Sequence, residues 1–118
     1  MDANHLLPIE SILSSARARA FDPERRLRCA VFERAVDDFR HHTRATSASG
    51  RQAFDDAAQW FAETEPAVPF SFENVCAALD VDANLVRRAL AHWRAVELAG
   101  AARHWLHDRS TRAARHAA

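Results

Sequence analysis

A chain of 118 residues holds one domain with a modest core, and its 16 basic residues balanced by 16 acidic ones exclude a polycation held to nucleic acid by bulk charge alone. Two Gly, four Pro, no Tyr and an apolar fraction inflated by Ala form a helical vocabulary, and two Cys are too few for a disulfide framework. No run approaches the roughly 20 apolar residues that span a bilayer, and the N-terminus lacks a signal-peptide core, so the expectation is a cytoplasmic protein without a membrane partner.

The first segment, 1–21, reads as weakly ordered, although Ile9, Ile12, Leu13 and Ala16 follow Pro8 at helical spacing. Asp22-Pro23-Glu24 is a strong helix start, with a capping carboxylate, Pro at the first helical position and an acid where the helix dipole favours one. The helix should run from about 23 to 42, with Leu27, Val31, Phe32, Ala35, Val36 and Phe39 as its apolar stripe. Residues 43–50 are small and polar and read as a loop. Ser49 with Gln52 then suggests a capping box for a helix carrying Phe54, Ala57, Ala58 and Phe61 on one face. Glu65-Pro66 and Val68-Pro69 force extended backbone and end it.

From 71 to 94 the pattern is two short helices around a tight turn, a helix-turn-helix. Ser71 can cap the first helix and Asp82 the second, while Val75, Leu79, Val81, Val86 and Ala89 fall where the two must pack, with Cys76 small at their crossing. Asp80 stands at the turn position that favours the left-handed backbone. After Trp93 the pattern weakens, and 99–118 reads as a basic tail. The fold class is therefore all-α: a bundle of four or five helices with a domain at 22–98, and with no alternating strand pattern for a β-wing.

The run Trp60-Phe61, then Val68-Pro69-Phe70-Ser71-Phe72-Glu73-Asn74, and Val86-Arg87-Arg88-Ala89-Leu90 with Trp93-Arg94, resembles a family of small bacterial proteins without an assigned activity. The resemblance spans about 26–94; members carry Gly where this chain has Asp80 and Pro where it has Ala83. It implies a shared fold and no catalytic residues. More broadly the segment is similar to helix-turn-helix domains of bacterial transcription regulators.

Two functional readings follow. In the first, the protein binds double-stranded DNA, with Ala83, Asn84, Arg87, Arg88 and Ala91 outward on the second motif helix, Asn84, Arg87 and Arg88 reading bases, and Arg94, Arg103 and Arg109 holding phosphates. Reading a palindrome would require a homodimer. Against this stand Asp80 and Asp82 at the start of that helix, and seven acids with no Arg between 52 and 82. In the second reading the same fold is a non-catalytic adaptor that binds a protein partner. Catalysis is not expected: the carboxylate pairs Asp37-Asp38 and Asp55-Asp56 are consecutive and diverge around a helix, and Cys29 and Cys76 lie on core faces. His104 and His107 have one-turn spacing but lack further ligands nearby, so neither metal nor cofactor is expected.

Overall fold

Five α-helices follow one another in the computed structural model, which describes the backbone of residues 8–117 and the side chains of 8–111; no strand occurs among the described residues. They are α1 (Ile9–Ala18), α2 (Pro23–His41), α3 (Ala48–Phe61), α4 (Phe72–Ala78) and α5 (Ala83–Ala117). The fold is the small all-α bundle that composition and periodicity predict.

α2 is the spine, packing against α1, α3 and α4, while α5 packs against α1 and α4. Its start is as expected: the Asp22 carboxylate accepts the Arg25 N–H at 2.8 Å, and Pro23 opens the helix. Its stripe delivers Phe32 and Val36, both fully buried, to meet Phe72 and Val75 of α4 and Val86 of α5, whereas Leu27, expected on the same stripe, is 56% exposed and Cys29 is buried in that turn. Aromatic rings fill the centre. Phe72 lies 5.2 Å from Phe61, 5.3 Å from Trp60 and 6.5 Å from Phe32, and Phe39 lies 4.8 Å from Phe54.

Three expectations are corrected. Residues 9–18 are not a loose segment: α1 buries Ile9, Ile12, Leu13 and Ala16, and Arg17–Glu33 and Arg40–Glu10 ion pairs tie it to α2. Four apolar residues on one stripe suffice once α2 and α5 offer a surface to cover. Residues 1–7 of that segment lie outside the described ones. The cap of α3 is Ser47, whose hydroxyl accepts the Gly50 N–H at 3.1 Å, and Ser49 is already helical. Finally, no domain edge falls at 98, because α5 runs through Gly100 unbroken. A mid-helix Gly costs about 1 kcal/mol relative to Ala, too little to stop a segment so rich in Ala, Arg and Leu.

The sequence run most distinctive of the resemblance has a local explanation. Ser71, fully buried, caps α4 through the Asn74 N–H at 3.3 Å. The Asn74 amide donates to the carbonyls of Pro66 and Val68, and the Trp60 indole donates to the carbonyl of Phe70 at 2.9 Å. The proline-rich connection is thereby pinned over the core ring of Phe72.

Candidate functional site

The helix-turn-helix is present, and its turn is held from three directions. Asp80 takes the left-handed conformation with φ 53°, and the Val81 N–H reaches back to the Cys76 carbonyl at 2.9 Å, closing the C-terminus of α4. The Asp82 carboxylate accepts the Leu85 N–H at 3.1 Å and so starts α5. Arg19 donates to the carbonyl of Asp80 at 2.7 Å and Arg25 to that of Ala78 at 3.2 Å, placing cations where the α4 dipole is negative.

The six residues proposed to touch DNA divide. Arg87, expected outward, folds inward. Its Nε donates to the Phe61 carbonyl at 2.7 Å, its Nη2 to Glu73 at 3.1 Å and its Nη1 to Asn84 at 3.0 Å, with the guanidinium 4.9 Å from the centre of the Phe72 ring. The end of α3 presents an open carbonyl there, and a charge-assisted bond to it outweighs an exposed guanidinium. Asn84 is exposed but its amide oxygen is engaged by Arg87. Arg94 is also drawn in, donating to Thr43 at 2.9 Å and lying 4.6 Å over the Phe54 ring. Arg88 and Arg103 are exposed, and Arg109 stacks on Trp105 at 4.9 Å. The structure therefore does not bring Asn84, Arg87 and Arg88 together as a base-reading set.

A different feature occupies the exposed side of α5. An open trough of about 540 Å³ runs between α3 and α5. Phe39, Phe54, Ala58 and Phe61 form one wall; Leu90, Ala91, Ala95 and Leu98 form the other, with Arg87 and Arg94 among the lining residues. Leu98 is 37% exposed. Beyond it α5 projects past the bundle, no residue after Leu90 being buried among those described, and carries Trp105 at 56% and Leu106 at 59% exposure. At three- and four-residue intervals, Ala91, Arg94, Ala95, Leu98, Ala102 and Trp105 lie on one face, so the trough wall continues along the projecting half. Sequence reasoning classed those apolar residues as core or tail; the length of α5 was the missing signal.

The two thiols are buried. Burial pushes Cys76 up to about 12 and Cys29 up to about 11, the latter aided by a hydrogen bond to the Glu33 carboxylate at 3.4 Å, so neither is a thiolate near neutrality. Among the described residues no three His, Cys, Asp or Glu side chains converge as a metal site, and no helix is long and apolar enough to cross a membrane. Comparison with protein-family models, with curated proteins and with solved structures finds no match to this chain.

Proposed function

We propose that this domain is a non-catalytic adaptor that binds a protein partner through the trough between α3 and α5. The observation that carries this reading is the face of Ala91, Ala95, Leu98, Ala102 and Trp105, apolar but for Arg94, which lines an open trough and then leaves the bundle with a large ring exposed. Apolar surface contiguous over such a length marks an interaction site far more often than an accident of packing. The basic side chains that would compete for a nucleic-acid role at this face, Arg87 and Arg94, are tethered to the fold's own carbonyl, carboxylate and hydroxyl groups.

The test is site-specific photo-crosslinking in cells from a benzoylphenylalanine at Ala91 or Ala95, with Arg26 on the exposed side of α2 as the control position. Crosslinks to a defined polypeptide from the trough and none from Arg26 are expected. Silence from both trough positions sinks the reading.

DNA binding is the second reading, favoured by the intact helix-turn-helix and by exposed Arg88 on the second motif helix. It would make this a bacterial cytoplasmic transcription-associated protein. A fragment library of the source genome, retained at two salt concentrations and sequenced, tests it. Enrichment of a defined site that persists as salt rises and is lost in Arg88→Ala supports base readout; retention only at low salt speaks for phosphate attraction alone.

A further inference from the structure

We propose that the partner segment seated in the trough is a helix of about three turns with an Asp or Glu among its apolar residues, and that Arg94 is the counter-ion of that carboxylate. The inference rests on the adaptor reading and states the chemistry of its partner. It starts from the arginines. Arg25, Arg28, Arg40 and Arg87 are half-buried, and each pairs with a carboxylate of this chain, respectively Asp22, Glu24, Glu10 and Glu73. Arg94 is half-buried too, yet among the described residues it pairs with no carboxylate. Its Nε donates to Thr43 and its guanidinium lies over the Phe54 ring, which leaves the two terminal Nη groups for an acceptor from outside the fold. Glu97, one turn along α5, is taken by Arg44 at 3.4 Å, and no acidic side chain lines the trough.

A guanidinium partly withdrawn from water gains more from a carboxylate than an exposed one does, because the local dielectric is lower and both Nη groups can engage one carboxylate. The walls decide what carries the anion. Phe39, Phe54 and Leu98 share the trough with the cation, so a nucleic-acid backbone would set phosphates against apolar surface, whereas a carboxylate on an otherwise apolar helix face covers that surface. Ala58, Ala91 and Ala95 are small and give large apolar side chains room between the walls. The α5 wall from Arg87 to Leu98 is about 16 Å long, the length of three helical turns.

The chain has no lysine, so Arg94→Lys puts a single side-chain amine in the trough and keeps the charge. Carbodiimide treatment of an extract of source cells carrying this variant should join the new amine to an Asp or Glu of the same polypeptide that photo-crosslinks from Ala91 and Ala95, with apolar residues three and four positions away from it. An amide to this chain's own Glu97 or Glu63 instead, or to no carboxylate, overturns the proposal. In parallel, Arg94→Gln should lower the photo-crosslink yield from Ala91 about tenfold with unchanged helical circular dichroism, and Arg26→Gln, the same loss of charge on the exposed side of α2, should leave it unchanged. Should Arg94→Gln lose helix content, the carbodiimide result with Arg94→Lys decides alone. A yield that survives Arg94→Gln, or falls equally in both variants, removes the counter-ion and leaves the adaptor reading standing. Photo-crosslinks from neither trough position, or to nucleic acid only, remove both.

Discussion

Arg87 shows how far one side chain can depart from its helical position. The helical wheel puts it outward, yet its guanidinium is shared among the Phe61 carbonyl, Glu73 and Asn84 and lies against Phe72. Removing it strands a half-buried carboxylate and a helix-end carbonyl, so Arg87→Ala should lower stability by about 1–3 kcal/mol, whereas Arg88→Ala should stay within about 0.5 kcal/mol of the native chain. Urea titration of the two variants decides it; equal, small effects would mean that Arg87 is a solvated surface residue. Asp80 gives a second residue-scale expectation. With φ at 53° it carries a conformation that Gly adopts freely and a β-branched residue resists. Asp80→Gly should leave stability unchanged or raise it by up to about 1 kcal/mol, and Asp80→Val should cost about 1–2 kcal/mol by thermal unfolding.

Among the elements, α3 is the one whose position depends on a single small residue. Gly50 is buried in its first turn, and a Cβ there would come within 2.7 Å of the Ala45 Cβ and 3.0 Å of the Ser47 hydroxyl. In an open helix Gly→Ala gains about 1 kcal/mol; here the close approach of the 42–47 loop reverses the sign, and Gly50→Ala should lose about 1–3 kcal/mol. Gly100, with nothing within 4 Å, is the internal control. Gly100→Ala should stabilise α5 by about 0.5–1 kcal/mol, so that the two substitutions move chemical denaturation midpoints in opposite directions.

For the whole molecule, pH acts from both ends. Glu10 and Glu33, held below the ordinary carboxylate value chiefly by hydrogen bonds from Arg40 and Arg17, both join α1 to α2. Their stabilising contribution is present above the unfolded value of 4.5 and is lost as pH falls through the lower folded values. Since both pairs face solvent, this contribution is small. At the alkaline end the signs reverse. Cys29 and Cys76 resist ionisation when folded, so stability is intact below the unfolded value of 9.0 and declines as pH rises from there toward about 11 and about 12. Urea midpoints should therefore fall above pH 9, and both thiols should react with a thiol reagent only after denaturant is added. Rapid labelling of the native chain at neutral pH would show that the two helices bearing them open far more readily than their burial implies.

What the sequence settled by itself is whatever depends on residues three or four apart. The start of α2 at Asp22-Pro23, the Ser71 and Asp82 caps, the left-handed turn at Asp80, the inward face of α4 and that of α2 from Phe32 onward all arise from local hydrogen bonds and from helical period. The tertiary structure alone decided where the long arginines go. Arg87 reaches a carbonyl 26 residues away and Arg94 a hydroxyl 51 residues away, and neither acceptor is visible from the neighbourhood of the arginine in the chain. It also decided that Ser47 caps α3 in place of Ser49, that α1 belongs to the core, and that α5 passes through Gly100 to leave an apolar face outside the bundle. The reason is common to all of them: a helix's ends and faces are encoded locally, but which of its outward groups find a partner is set by elements that folding brings alongside.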